Sequence, residues 1–440
     1  MRSLALDLTR LGLGPARLAP RGIDRVELAY ARYFLTQWPG ECVAILPTIL
    51  GARLFGREQT LRGLAALEKL WQENIQPSED QAYLRTKSFL AGQTATASPT
   101  GQILKPRVSD QARGFIQIVS AAGFSFGHSL ARELPKDAIY LNVGQLGVFR
   151  PLLSWLHRRP DVRAFFMLHD LIPLEYPKHH RPIGIRLHRS IVKNTAEFAH
   201  AIIVASDAVR TTVHDAMSWL GRGDLPIHVE LLPVPSEFLV PAAKDAELAR
   251  VPYFIVCGTI DSYKNHLLLL EVWRELVARQ GARVPKLIIA GSPGVTSRTV
   301  LDVLKTSTAI HRHVILISGL STPALRNLIA GARALLMPSL AEGFGLPIVE
   351  ALAQGTPVIA SDIPAHREAG RGGGVTYLSP SDAGLWSSCI GRLSSAAPAD
   401  ITRARGYQPK TWQDYFAGIE SFIARQVAAI GSRNTSGCRG

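Results

Sequence analysis

Short apolar runs alternating with stretches of helical periodicity recur along the whole of this 440-residue chain. In the first half the runs are Ser3–Leu8, Cys42–Leu46, Ala138–Val143, Phe165–Leu168, Ala201–Ala205 and His228–Val234. In the second they are Tyr253–Cys257, Lys286–Ala290, Val314–Ile317, Ala332–Met337 and Pro357–Ser361. Each is too short for a buried helix, and strands covered on both faces carry such near-continuous apolar runs. A helix between consecutive strands returns the chain to the same end of the sheet, so the alternation predicts parallel sheets sandwiched by helices. Pro241–Pro252, with its alanines, mixed charges and prolines, predicts a linker, dividing the chain into 1–240 and 241–408. Beyond Leu393 the pattern weakens; Trp412–Ala428 predicts an amphipathic helix, in a segment 409–430 expected to return to the first domain, before a flexible tail at 431–440.

Within the first half, Thr9–Gly22 is rich in Gly, Pro and Arg and predicts a loop. A helix follows, with Ile23, Val26, Leu28, Ala29, Ala31 and Leu35 at near-helical spacing. A glycine-rich loop between a first strand and a first helix is the usual phosphate cradle of an open parallel sheet. Gly12 and Gly14 lack the third glycine of a dinucleotide fingerprint. Leu54–Asn74 predicts a helix-rich insertion, and the polar stretch Gln76–Arg107 a mobile surface loop over an acceptor site.

Composition narrows the function classes. At 47% hydrophobic and 19% charged the chain has the make-up of a soluble globular protein. No apolar run approaches the roughly 18 residues a spanning helix needs. The start lacks a long apolar stretch and a small-residue cleavage site, so a cytoplasmic protein is expected. Cys42, Cys257, Cys389 and Cys438 have no metal-type spacing and are expected to be reduced thiols. The net charge of +14 favours anionic partners. No helix-turn-helix, zinc-finger or aromatic-basic ribonucleoprotein pattern accompanies it, which argues against nucleic acid.

The densest cluster of chemistry lies between Met337 and Gly355. A strand leaves the core, and Ala341-Glu342-Gly343-Phe344-Gly345-Leu346 forms a loop before a short helix with Pro347 in its first turn and Gly355 at its end. Gly343 and Gly345 let backbone pass close to a ligand, and the helix start offers N–H groups to an anion. Glu342 and Glu350 frame the loop, with Glu342 expected to be exposed. His169-Asp170 follows the run Phe165–Leu168, at the carboxyl end of a strand where open sheets bind ligands.

Pro338–Glu350 followed by Ala351–Ser361 resembles the retaining glycosyltransferases of family four. Weaker matches are Gly258–Asn265, His169-Asp170 with Leu171-Ile172-Pro173, Gly291 and Gly319, together covering most of Tyr140–Asp382. The resemblance implies the α/β GT-B fold, two Rossmann-like doubly wound domains facing across a cleft. It implies that Glu350 holds the donor ribose and Glu342 the donor sugar, with the amides of Gly343, Phe344, Gly345 and Leu346 along the sugar and phosphates. Lys264 would neutralise the leaving diphosphate, His169 would face the sugar from the other domain, and the loop ending at Arg21 and Gly22 would approach the phosphates. The sequence departs from the family at Thr259, where a basic residue is usual; either an N-terminal arginine such as Arg21 or Arg17 compensates, or turnover is slow.

The implied activity is hexosyl transfer with retention, from a nucleotide sugar, GDP-mannose first, to a glycan acceptor, lipid-linked, in cell-surface polysaccharide synthesis. No Asp-x-Asp pair or His/Cys cluster with ligand spacing is present, so neither a metal nor another cofactor is expected. A nucleotide-binding protein with weak turnover and a sugar-nucleotide epimerase of the same architecture are the alternatives. Glycoside hydrolysis by two carboxylates fits less well, because Glu350 belongs to a helix behind the glycine loop. Finally, Arg150–Lys193 interleaves Arg158, Arg159, Arg186 and Arg189 with apolar residues. That pattern predicts a peripheral contact with an anionic membrane surface.

Overall fold

The structure is a computed structural model and describes residues 2–436, apart from 17–19, 49, 72–74, 94–107, 147, 149, 244, 246, 249–250, 398–403 and 405. The first domain holds β1 (Leu4–Asp7), β2 (Cys42–Thr48), β3 (Gly51–Phe55), β4 (His128–Ser129), β5 (Ile139–Asn142), β6 (Arg163–Leu168), β7 (Ala201–Val204) and β8 (Ile227–Val229). They form one sheet in the order β4-β3-β2-β1-β5-β6-β7-β8. The second domain holds β9 (Tyr253–Cys257), β10 (Lys286–Ala290), β11 (Val314–Ile317), β12 (Leu335–Met337), β13 (Val358–Ser361) and β14 (Val375–Leu378), in the order β11-β10-β9-β12-β13-β14. All pairings in the second sheet are parallel, with β9 central between β10 and β12. β1, β5, β7 and β9 are buried along their whole length, which is why they read as unbroken apolar runs.

Because the strands are parallel, their carboxyl ends share one edge in each sheet, and the loops that leave β1, β6, β9 and β12 carry the expected site residues. One buried apolar cluster runs from the first domain into the second, joining Leu6, Phe34 and Phe165 to Ile255, Phe344 and Ile348. The Trp412–Ser436 helix packs on the first domain. Tyr415 shares a 2.7 Å hydrogen bond with Tyr30, and Phe416 stacks on Tyr33 with ring centroids 4.0 Å apart. At Gly418 a Cβ would lie 2.2 Å from a Glu230 carboxylate oxygen, so a larger residue there would push that side chain aside.

Several expectations are corrected. Thr9–Gly22 is not a plain loop: Thr9–Gly12 is a helical turn, Gly14–Ala16 a 3-10 turn, and Trp71 donates to the Gly14 carbonyl. Gln76–Arg107 is not a mobile loop throughout. Gln81–Leu90 is a helix whose N-cap, Asp80, accepts from the amides of Ala82 and Tyr83. The same Asp80 accepts from the Ser321 amide of the second domain at 2.7 Å, so this segment ties the domains together. The Thr94–Gly101 portion lies outside the described residues. The antiparallel pair β3 and β4 escaped the sequence because Leu54 is the one fully buried residue of β3. The final helix runs on to Ser436, into the stretch expected to be a flexible tail. Among the described residues, no helix is long and apolar enough to cross a membrane.

Candidate functional site

β12 ends at Met337, and the chain crosses Ser339–Phe344 before the Leu346–Ala353 helix begins. Gly345 takes φ 101° at the helix N-cap, a conformation open to glycine and strained for other residues. Pro347 lies in the first turn, where its missing N–H costs nothing. Glu342 is not the exposed loop residue expected: its side chain is 9% accessible and its Oε1 accepts from Lys264 Nζ at 2.5 Å and Ser339 Oγ at 2.8 Å. Burial pushes its carboxyl up, but Lys264, His366 and these hydrogen bonds outweigh burial and hold it below the usual range.

Lys264 reaches Glu342 from the 3-10 turn Ser262–Lys264 that follows β9. Asn265 ends this turn with φ 57°, and its Nδ2 donates to the Pro338 and Pro380 carbonyls at 3.2 and 2.9 Å. The turn carrying the cation is thereby pinned to the loop carrying the acid. Thr259 is half-buried in the same connection. Gly291 makes this packing possible, because a Cβ there would meet the Gly258 carbonyl at 1.8 Å.

Glu350 is buried in the Leu346–Ala353 helix and faces the first domain. Its Oε1 accepts from Arg25 Nη1 at 3.2 Å, while Arg25 Nη2 donates to Thr322 Oγ1 at 3.3 Å. Burial raises the Glu350 carboxyl above its usual value, with Arg25 opposing. Arg25 was missed at the sequence level, where Arg21 was favoured. Arg25 lies one turn into the helix that Arg21 precedes, and its partner comes from the other domain, so no local pattern marked it. Arg21 is exposed at the N-cap of the Gly22–Gln37 helix, with its amide donating to Asp24. A Cβ on Gly22 would sit 3.4 Å from Leu346, so that helix start abuts the loop of the second domain. Arg17 lies outside the described residues.

His169 is buried beyond β6, and its Nε2 lies 2.8 Å from the Val143 carbonyl. A carbonyl only accepts, so Nε2 carries the proton and Nδ1 is the ring acceptor. Burial, with Arg10 adding to it against Val143 and Asp24, lowers its pKa to about 4, keeping the ring neutral at physiological pH. Its backbone lies tight against the second domain: a Cβ on Gly343 would lie 2.2 Å from the His169 carbonyl oxygen. Ser206 Oγ donates to the Gly343 carbonyl at 2.7 Å from the same side. The structure therefore brings Glu342, Lys264, Gly343 and His169 to one place. Glu350, with Arg25, flanks it from the same short helix.

Beside Glu342 opens a cavity of about 480 Å³ between the domains. Asp170, Glu175, Asp207, Glu342 and Glu368 line it, and among the described residues no Lys, Arg or His does. Such walls suit neutral hydroxyl groups and repel a diphosphate. Among the described residues no group of three His, Cys, Asp or Glu could hold a metal.

The expected membrane patch is partly corrected. Arg159 is structural: its guanidinium binds Asp161 and the Leu134 and Pro135 carbonyls at 2.7–2.8 Å. Arg158, Arg186, Arg189 and Lys193 are exposed, the last three on the Pro182–Phe198 helix. Ile183, 65% exposed, precedes them near the helix start.

Residues 243–382 match the family described as glycosyl transferases group 1. The serotype-specific mannosyltransferase WbdA of Escherichia coli is 29% identical over 222 residues, covering 47% of this chain and 26% of WbdA. The O-antigen chain mannosyltransferase B of the same organism is 25% identical over 249 residues, covering 56% of this chain and 65% of that one. The chain thus spans about a quarter of the length of the first of these relatives and about two thirds of the second. Among solved structures, Anabaena Alr3699/HepE in complex with UDP and glucose aligns with a TM-score of 0.55 at 14% identity, covering 99% of this chain and 100% of that one.

Proposed function

We propose, from the match of residues 243–382 to glycosyl transferases group 1 and from the two-sheet GT-B fold, that the chain is a retaining hexosyltransferase. The donor is a nucleotide sugar, GDP-mannose first, since the named relatives above are mannosyltransferases. The acceptor is a glycan, lipid-linked, in cell-surface polysaccharide synthesis, met at the cytoplasmic face of the membrane through the exposed basic helix.

The observation that carries this reading is the Lys264–Glu342 pair set beside the start of the Leu346–Ala353 helix and facing His169 across the cleft. A nucleotide sugar presents both an anion and hydroxyl groups, and this pair offers a partner to each. Lys264 turns from Glu342 to the diphosphate and stabilises the charge that develops as the phosphate leaves. Glu342, freed of Lys264, accepts from a sugar hydroxyl. Glu350 accepts from the ribose, and Arg25, released from it, supplies the second cation that Thr259 does not. His169 offers Nδ1 to a donor-sugar hydroxyl. It is too weakly basic to act as a proton donor at neutral pH. The acceptor sugar occupies the carboxylate-lined cavity next to Glu342 and attacks the face from which the phosphate departs. The departing phosphate takes the acceptor proton, and Lys264 and Arg25, in place of a metal ion, balance the diphosphate charge.

Thr259 favours one second reading, a nucleotide-binding protein without turnover. A screen of GDP- and UDP-sugars against lipid-linked glycan acceptors, with and without a chelator, tests both. Transfer from one donor, unaffected by chelation, is expected. Tight nucleotide binding without transfer or donor hydrolysis would favour the second reading, and strict dependence on a divalent ion would overturn the metal-free route.

A further inference from the structure

We infer that Glu368 is a positioning residue: from the second domain it caps the Asp207–Trp219 helix of the first, and so registers the Glu342 loop against His169. This rests on the transferase reading of the cleft. Glu368 lies in the Pro364–Ala369 helix and is buried. Its Oε2 accepts from the Asp207 amide at 2.7 Å and its Oε1 from the Ala208 amide at 2.9 Å. The first amides of a helix have no acceptor within that helix, and the positive end of the helix dipole strengthens their bonds to a carboxylate. Here the carboxylate that completes them comes from another domain, so the cap is also a tether.

Ser206, the N-cap of the same helix, adds a second point of attachment. Its Oγ accepts from the Val209 amide at 3.2 Å and donates to the Gly343 carbonyl at 2.7 Å. One helix start therefore grips the second domain on two sides of Glu342, at Gly343 and at Glu368. With Gly343 already in contact with the His169 carbonyl, losing the Glu368 tether leaves the Ser206 bond and that contact to hold the loop locally, while Asp80–Ser321 and Arg25–Glu350 keep the domains joined elsewhere. The donor anchors Lys264 and Glu350 belong to the second domain and keep their places when the tether is cut. The predicted signature is a fall in turnover with little change in nucleotide affinity.

Glu368→Ala is expected to lower kcat at least tenfold while KM for the nucleotide sugar stays within threefold. Amide hydrogen exchange at Asp207 and Ala208 should quicken at least tenfold, with the melting temperature of the protein unchanged. Glu368→Gln should recover part of the turnover, because its amide oxygen still accepts one N–H. Asp207→Pro provides an independent cut should Glu368→Ala fail to fold. It deletes one donor at the first helical position, where proline is tolerated, after a residue whose extended backbone (φ −157°, ψ 156°) suits a following proline. In the Glu368→Ala background it should add less than twofold at saturating acceptor beyond the effect of Asp207→Ala, the control that keeps the amide but removes the carboxylate which lines the acceptor cavity and pairs with Arg210. Unchanged exchange at Asp207 and Ala208 would overturn the tether, as would independent multiplicative losses or equal losses of kcat and nucleotide affinity. If no nucleotide sugar supports transfer at all, the transferase reading falls, and the exchange experiment still decides whether Glu368 tethers the domains.

Discussion

Replacing Lys264 with methionine isolates the charge that keeps Glu342 ionised. The pair is 17% and 9% accessible, so little solvent screening intervenes. Removing one partner of a buried pair while the other stays charged costs about 3–5 kcal/mol. In the intact protein Glu342 is held below its usual value. The pair's contribution is therefore fully present above the unfolded carboxylate pKa and fades only as pH falls through the lowered folded value. In Lys264→Met the largest remaining influence is burial, which pushes Glu342 above its usual value. The cost is then greatest at alkaline pH, where Glu342 is charged and uncompensated, and is relieved as falling pH protonates it. At about 2–4 °C per kcal/mol for a domain of this size, the second domain should melt roughly 6–20 °C lower near pH 8. Near pH 5 the loss should be clearly smaller. Adding Glu342→Gln removes the orphaned charge and should restore at least half of the loss at pH 8. Scanning calorimetry of the wild type, the single variant and the double variant at both pH values reads this directly. Equal losses at the two pH values, or a double variant melting no higher than Lys264→Met, would refute the reasoning.

Gly343→Ala puts a Cβ 2.2 Å from the His169 carbonyl, with backbone on both sides and no side chain free to yield. A displacement of about 1 Å costs on the order of a hundredfold in rate, so transfer should fall by that factor while calorimetry finds nucleotide affinity within threefold; wild-type turnover would show that the domains need not meet there. Arg25→Ala removes the charge that opposes the burial-driven rise of the Glu350 pKa, so Glu350 should protonate at higher pH. The low-pH limb of nucleotide binding should then move to higher pH, and a calorimetric pH series with an unmoved limb would remove Arg25 from the site. Binding to anionic liposomes should be salt-sensitive and absent with neutral ones. Neutralising Arg186, Arg189 and Lys193 together should cost about 3 kcal/mol, or about a hundredfold in partitioning, and sedimentation unaffected by these changes would dismiss the helix as a lipid contact.

The sheets were legible because most of their central strands are buried on both faces, leaving an apolar signal that needs no partner to interpret. β14 was not, since Val375–Leu378 is nowhere fully buried and lies at an edge. The Glu342 loop was legible for a similar reason: its glycines, proline and acids have local backbone roles that survive in the sequence alone. What escaped was pairing across the cleft. Arg25 and Glu350 are 325 positions apart, and Asp80 and Ser321 are 241 apart. No periodicity encodes such a meeting, which is set by where two separately folded sheets come to rest. Glu342 looked exposed for the same reason, because the cation that buries with it arrives from another loop. Arg159 looked like part of a lipid patch because two of its three partners, the Leu134 and Pro135 carbonyls, are main-chain atoms that no side-chain pattern marks, although the third, Asp161, is close in sequence.

The cleft holds its charges in two cross-braced pairs, Lys264 with Glu342 and Arg25 with Glu350. This bears on how the proposed site discriminates. A buried charge without a partner is costly, so a ligand that captures only the cations leaves two carboxylates stranded in a site that already favours their protonation at Glu350. A bare diphosphate is such a ligand. A nucleotide sugar instead replaces every partner it displaces: phosphate oxygens for the carboxylates lost by Lys264 and Arg25, and sugar and ribose hydroxyls for the cations lost by Glu342 and Glu350. The exchange conserves the number of satisfied groups only when ribose, diphosphate and hexose are joined in one molecule. In the proposed site, selectivity for the intact donor would then arise from the pairing that exists before it binds, and the spent nucleotide, lacking the hexose that satisfies Glu342, is expected to bind more weakly.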